Sequence, residues 1–453
     1  MQGVRHTRMN MIKTILILAM ALIGVTSSVA AETTLTIGDV RRLAVEFNRQ
    51  YLSSQEDVSI ARAEISEAWA GALPNINLHS TYDRSFKIPK IFFSTEDSAT
   101  GETQTMALQT GFKNSFGTSV SLTQPIWHGG KVFAALKIAK MYKRYAEANA
   151  EAVQSEVVLS AEQLFYGALL AKTELEVQER ALESNTANLD VVEKMYDRGV
   201  VSEYELLRAR VEQQSVLPML IEAESRVTIS EKQLKSFLGL NLADSIVLVE
   251  DQTDTSIIRL PSLDALTDTA LVHRPEMQAA VKLTEIAKKA ITVARAEYWP
   301  SLDAVGAFNW SAQSDDFTLE ENQSKSWTAG LALNLNIFPF SHKKGGVNKA
   351  KAQYNQALLT REQTKDNIVL EVEQAYTRLL QAKKSLDVQG TTIAAAEEGF
   401  KIAQVRYEAG VGTQLEVLSA QTALTQARQI QANALFSFRV AKAELRKVTT
   451  FEL

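Results

Sequence analysis

The chain has 453 residues, with 20 Gly, 8 Pro and no Cys; average usage is roughly 7% Gly and 5% Pro, so a loop-rich sandwich or propeller is excluded. Without Cys there is no disulfide scaffold, thiol nucleophile, Cys-ligated zinc or lipid-modified N-terminal Cys. A formal net charge of −5 with 45% hydrophobic and 22% charged residues fits neither a disordered chain nor an all-helical membrane protein.

The N-terminus reads as a secretory signal peptide, residues 1–31. Arg5, Arg8 and Lys13 precede an apolar run, Ile15 to Val25, too short to span a bilayer, and small residues follow to Ala31. Cleavage is expected after Ala30 or Ala31; the competing reading is an N-terminal anchor helix. The leader holds three basic residues and no acid, so the remainder carries −8, which disfavours nucleic acid as a partner. No later segment has eighteen consecutive apolar residues, so no transmembrane helix is expected.

Helical patterns over Thr36–Phe47 and Asp57–Ala72 lead to Leu73-Pro74. There the apolar period switches from 3.6 to 2. Ile76, Leu78, Ser80, Tyr82 and Phe86 share one face, and Asn75, Asn77, His79, Thr81 and Asp83 the other. After a polar loop, 87–111, Phe112, Phe116, Val120 and Leu122 alternate with Lys113, Ser115, Ser119, Ser121 and Thr123, and Pro125 ends the strand. No proline lies between 126 and 217. From Lys131 to Asp197 apolar or small residues recur at steps of three and four, which predicts one helix of roughly 100 Å at 1.5 Å per residue. The pattern breaks at Gly199 and restarts at Ser202, a good N-cap, as a helix over Glu203–Phe237 kinked at Pro218. A linker, 239–275, follows.

The second half repeats the plan. Helices over Ser262–Val272 and Glu276–Glu297 lead to Trp299-Pro300. Leu302, Ala304, Gly306, Phe308 and Trp310 oppose Ser301, Asp303, Asn309 and Ser311. After a loop, 312–325, Trp327, Ala329, Leu331, Leu333, Leu335 and Ile337 oppose Ser326, Thr328, Asn334 and Asn336, and Pro339 follows. A long helix runs from about Gly346 to Glu408, breaks at Gly410 and Gly412, and restarts at Thr413 to about Val448. Glu162-Gln163 matches Glu373-Gln374, Ala171-Lys172 matches Ala382-Lys383, and Tyr196, Gly199, Ser202 and Glu205 match Tyr407, Gly410, Thr413 and Glu416, always at an offset of 211. The chain therefore reads as two structural repeats. The first, 32–238, holds a strand hairpin (73–125) and a helical hairpin (131–238). The second, 276–453, holds a strand hairpin (299–339) and a helical hairpin (346–448).

Two readings fit the strands. Each hairpin could lay its apolar face on a helix, as in α+β proteins. Alternatively the apolar face meets lipid and the polar face lines a water-filled barrel. Strand lengths of ten residues or more, export, and aromatics near the hairpin tips (Phe86, Phe112, Trp310 and Trp327, an expected interfacial girdle) favour the barrel. Four strands cannot close a barrel, and open edges are forbidden in lipid, so the barrel would be shared between copies.

In this order, the duplicated hairpins, the tips Tyr196-Asp197-Arg198-Gly199 and Tyr407-Glu408-Ala409-Gly410, the endings Pro125-Ile126-Trp127-His128-Gly129-Gly130 and Asn336-Ile337-Phe338, and Arg274-Pro275-Glu276 are specific. The mature chain, about Thr33 to Thr449, resembles the TolC-like outer membrane efflux proteins. The resemblance implies a mainly α fold with a β-barrel section. In it a homotrimer combines a twelve-stranded outer membrane barrel with a periplasmic α-barrel, and a mixed belt is built from Gly239–Pro275 and the C-terminus. It implies a passive exit duct for tripartite efflux or type I secretion. The implied partners are outer membrane lipid, a periplasmic adaptor (membrane fusion protein) and an inner-membrane pump of RND or ABC type. Tyr196, Gly199, Val200, Val201, Ser202, Tyr407, Gly410, Val411, Gly412 and Thr413 would form the periplasmic tips and meet the adaptor. Glu205 and Glu416 match the family's constriction acids, where carboxylate rings favour cations. Gly412 stands where a gating Arg would be and Ser419 where a second acid would be. Read without the resemblance, Glu205 and Glu416 are also well placed as carboxylates at helix N-termini, and Tyr196 and Tyr407 as packing residues.

No phosphate loop, zinc-protease helix, calcium loop or nucleophile elbow is present, and the five His are scattered. No enzyme activity, cofactor or metal site is expected. The alternatives to a duct are a periplasmic adaptor, which needs one helical hairpin and no lipid-facing strands, and a soluble coiled-coil scaffold.

Overall fold

The structure, a computed structural model, describes residues 33–96, 103–249, 260–320 and 322–450; the expected signal peptide lies outside them. In chain order the elements are β1 (Thr33–Leu35), α1 (Ile37–Phe47), α2 (Arg49–Ala70), β2 (Asn75–Arg84), β3 (Lys90–Glu96), β4 (Thr103–Gln109) and β5 (Asn114–His128). Next come α3 (Lys131–Asp197), α4 (Glu203–Phe237), β6 (Ile246–Leu248), α5 (Leu263–His273) and α6 (Pro275–Ala296). The last are β7 (Ser301–Ser314), β8 (Gln323–Asn334), α7 (Phe340–Glu408) and α8 (Gln414–Thr449). They fall into two compact units. One holds the described residues of Met1–Leu52, Gln154–Leu263 and Glu373–Leu453, the other those of Ser53–Val153 and Asp264–Val372.

In the first unit β1 pairs in parallel with β6. Thr36 opens α1 with a capping box: its hydroxyl accepts from the Asp39 N–H at 3.2 Å, and the Asp39 carboxylate accepts from the Thr36 N–H at 3.2 Å. The hydrogen bonds from Thr36 hold the Asp39 carboxyl below the usual range. Glu162 of α3 is wholly buried and binds Arg41 of α1 and Arg446 of α8. Both guanidiniums meet Oε1 and offset the desolvation of the buried carboxylate, whereas Oε2 has no hydrogen-bond partner among the described residues. Pro218 lies inside α4, which continues through it.

In the second unit the sheet order is β2-β5-β7-β8, antiparallel throughout. The register puts Ile76 opposite Leu122, Leu78 opposite Val120 and Tyr82 opposite Phe116. It continues with Val120 opposite Phe308 and Phe308 opposite Trp327. One face is thus apolar across all four strands, and the other carries Ser, Thr and Asn. Among the described residues no helix covers the apolar face: Leu78 is 72% exposed, Ile76 65% and Trp327 80%. This removes the α+β reading, which needs those side chains buried. Beyond the sheet, Arg274 is 3% exposed and lies just ahead of α6. It donates to Glu276 at 2.9 and 3.2 Å and to Glu371 at 2.7 Å. Burial pulls its pKa down, but the hydrogen bonds and charges of the two glutamates outweigh that and raise it. The Arg-Pro-Glu motif is in this sense an anchor for the start of α6.

Several expected boundaries are corrected. α2 starts at Arg49, not Asp57, because the Asn48 side chain caps it, accepting from the N–H groups of Gln50 at 2.9 Å and Tyr51 at 3.3 Å. β5 does not stop at Pro125 but runs to His128, with a register shift at Pro125/Trp127, the kind of irregularity where a sheet accepts proline. β8 stops at Asn334, so Leu335 and Ile337 lie beyond it. β7 extends to Ser314 into the expected loop. The expected polar loop 87–111 contains an antiparallel hairpin, β3 with β4. α7 starts at Phe340, directly after Pro339 and ahead of the expected Gly346.

Candidate functional site: the hairpin turns and the two-faced sheet

The two helical turns are built alike. α3 ends with the Val200 N–H on the Met195 carbonyl (2.9 Å) and the Gly199 N–H on the Tyr196 carbonyl (2.8 Å). α7 ends with the Val411 N–H on Arg406 (3.0 Å) and the Gly410 N–H on Tyr407 (3.0 Å). This is the Schellman arrangement, and it needs a left-handed residue. Gly199 (φ +73°) and Gly410 (φ +75°) supply it. Ser202 and Thr413 then cap α4 and α8, their hydroxyls accepting from the N–H groups of Glu205 and Glu416 at 3.3 Å each.

The side chains are less symmetric than the backbone. Tyr407 is 6% exposed, within a cluster of Val192, Leu206, Ala209, Ala403 and Val417, whereas Tyr196 is 39% exposed. Burial, and then the Glu205 charge, push the Tyr407 hydroxyl pKa up. That hydroxyl has no hydrogen-bond partner. Removing an unpartnered buried hydroxyl relieves a desolvation cost of about 1–3 kcal/mol. Tyr407→Phe is therefore expected to leave the melting temperature unchanged or higher in a thermal unfolding scan; a clear drop would mean the hydroxyl has a partner.

Glu205 is half-buried, and its carbonyl accepts from Gln414 Nε2 at 3.0 Å, which joins the first turn to the second. Glu416 is exposed and lies 3.8 Å from Arg406. A Cβ on Gly412 would stand 3.0 Å from Arg406 Cβ and 3.0 Å from the Tyr407 nitrogen, so the close approach itself calls for glycine there. An arginine thus does reach Glu416, from the end of α7 and not from position 412. Sequence reasoning missed both Arg406 and Gln414. Val200 and Val411 are exposed, Val201 packs against the buried cluster, and Ser419 is exposed.

On the sheet, Trp327 packs on Phe308 with ring centres 4.5 Å apart and planes tilted by 43°, and Trp310 is half-buried on the same face. Tyr82, Phe116 and Phe317 form a triad at 4.9, 5.5 and 5.9 Å. Phe86 is exposed beyond the end of β2, and Phe112 is half-buried just before β5. Around the opposite strand ends is a second aromatic set, Trp127 with Trp299 (6.0 Å) and Tyr298 with Phe340 (6.4 Å). It was hidden from the sequence because Pro125 reads as a strand end.

Among the described residues no group of His, Asp and Glu is arranged to hold a metal ion, and no helix is long and apolar enough to cross a membrane. The sequence matches the family described as "Outer membrane efflux protein" over residues 40–240 and 266–450. It is 20% identical to the outer membrane protein TolC of Escherichia coli K12 over 445 residues, 95% of this chain and 85% of TolC. It is 23% identical to the cation efflux system protein CusC of the same strain over 296 residues, 65% of this chain and 64% of CusC. The solved structure of CmeC, the Campylobacter jejuni outer membrane channel, superposes with a TM-score of 0.73 at 21% identity, covering 91% of this chain and 85% of CmeC. The chain is a protein of the outer membrane, and it belongs to the outer membrane efflux protein family.

Proposed function

We propose that the chain is the passive exit duct of a tripartite efflux system. Three copies close a twelve-stranded barrel in the outer membrane and a helical barrel in the periplasm. An inner-membrane pump of RND or ABC type supplies the energy and a periplasmic adaptor bridges to the helical turns. The observation that carries this reading is the sheet: four strands with an uncovered apolar face and two unpaired edges, β2 and β8. Unpaired backbone groups cannot face lipid, so β8 of one copy pairs with β2 of the next until the ring closes. An adaptor or a soluble scaffold would have no use for such a face. The same duct would serve type I secretion, since cargo is chosen by the pump and adaptor.

Glu205 and Glu416 are the candidate selectivity residues, and the turn residues Val200 and Val411, both exposed, with the partly buried Val201, are the candidate adaptor contacts. Arg406 offsets part of the Glu416 charge, so Glu205 carries the larger share of any cation preference. The test is reconstitution of the mature chain in a planar bilayer. A detergent-extracted trimer should conduct with a preference for cations. Glu205→Gln combined with Glu416→Gln should bring the cation-to-anion permeability ratio toward one. Unchanged selectivity would remove the carboxylate ring, and recovery of the chain as a carbonate-soluble monomer would overturn the duct.

A further inference from the structure

The charges on the four-stranded sheet are sorted by face. On the apolar face the charged side chains are Arg84 and Lys325, both cationic and exposed. On the polar face the acids are Asp83 and Asp303, the latter held by His128 at 2.7 Å. Both cations lie towards the β3–β4 end of the sheet. Each sits beside aromatics on its own face: Tyr82 is two residues before Arg84, Trp327 two residues after Lys325, and Trp310 directly opposite Lys325. The face therefore grades from aliphatic (Ile76, Leu122, Leu331) through aromatic to basic.

Arg84 is on β2 and Lys325 on β8, the two edge strands. If the proposed ring closes edge to edge, the two cations come from adjacent strands at each seam between copies, both pointing away from the lumen. We infer that each seam carries a binding site for a phosphorylated glycolipid of the outer leaflet, with Arg84 and Lys325 meeting the phosphate and Trp310 and Trp327 lying along the sugar and the upper acyl chains. The charge sign selects an anion, since cations at a membrane surface attract anionic headgroups. The guanidinium suits phosphate bidentately. The aromatic belt fixes the depth, because Trp and Tyr settle at the headgroup level.

The inference rests on the barrel reading, and its test separates the two. Purified trimer would be titrated with a glucosamine-disaccharide lipid bearing two phosphates and followed by native mass spectrometry. Arg84→Gln with Lys325→Gln should weaken lipid retention by about thirty-fold, from roughly a factor of five per surface cation. Lys113→Gln, a charge removed from the loop before β5, should leave retention unchanged and controls for net charge. A lipid lacking both phosphates should be retained no better by the wild type than by the double variant. Equal retention by wild type and double variant in an intact, conducting trimer would overturn the site while leaving the barrel standing. Displacement of the lipid by inorganic phosphate at equal concentration would overturn the lipid as its ligand. A wild-type chain that fails to insert would overturn the barrel and the site together.

Discussion

Ala168→Pro is expected to abolish recovery of the assembled channel. Ala168 is 2% exposed within α3, and its neighbours Phe165, Leu169 and Ala171 are buried as well. Proline there removes the N–H that bonds the Leu164 carbonyl and drives its ring into that carbonyl, a cost of about 3 kcal/mol or more. A kink could relieve the clash only by moving packed side chains, which adds a repacking cost of similar kind. Pro218 shows the contrast: α4 accommodates it where Leu217 and Met219 are exposed and little has to move. In the proposed ring of three copies the penalty is met three times. The measurement is the heat-dissociable trimer band on a gel of detergent-extracted membranes, with total chain followed by immunoblot. Trimers at normal abundance would show that α3 need not be continuous.

The second large effect separates the two faces of one strand. Leu122 and Ser121 are adjacent on β5, the first in register with Ile76 and Gly306 on the apolar face, the second with Asn77 and Ala307 on the polar face. Leu122→Arg should cost about 2–4 kcal/mol per copy if that face meets the bilayer centre, and three copies compound the loss. Ser121→Arg should be carried in water and leave insertion intact, with a shift in pore selectivity at most. Insertion into lipid vesicles and conductance per inserted trimer read both. Equal tolerance of the two substitutions would show that the apolar face is covered by protein.

The long helices were legible because nothing in their sequence interrupts them: between Lys131 and Asp197 there is no proline and a continuous apolar stripe. The sheet was legible from strict alternation at Ile76, Leu78 and Tyr82 and again at Phe308 and Trp310. The β3–β4 hairpin was not, because Ile91, Phe92 and Phe93 are consecutive and break the period of two, so the segment reads as a loop. The α2 start was hidden behind Asn48, whose capping role depends on a rotamer and not on spacing. At the candidate site the backbone turns were legible from Gly199, Gly410 and their caps. The pairing of Arg406 with Glu416 was not, because it follows from how tightly the chain folds at Gly412. The contacts of Glu162 were illegible for a plainer reason: its partners lie 121 and 284 positions away.

Those partners also set an order of events. Arg41 leaves the export machinery early, Glu162 much later, and Arg446 only with the last helix. The unit that holds the described residues of Met1–Leu52, Gln154–Leu263 and Glu373–Leu453 cannot complete the ion triad around the buried Glu162 until almost the whole polypeptide has emerged. The unit with the four-stranded sheet has all its residues once position 372 is out. Vectorial secretion therefore finishes the chain of the unit with the four-stranded sheet first, and leaves the other unit dependent on its final few residues for closure.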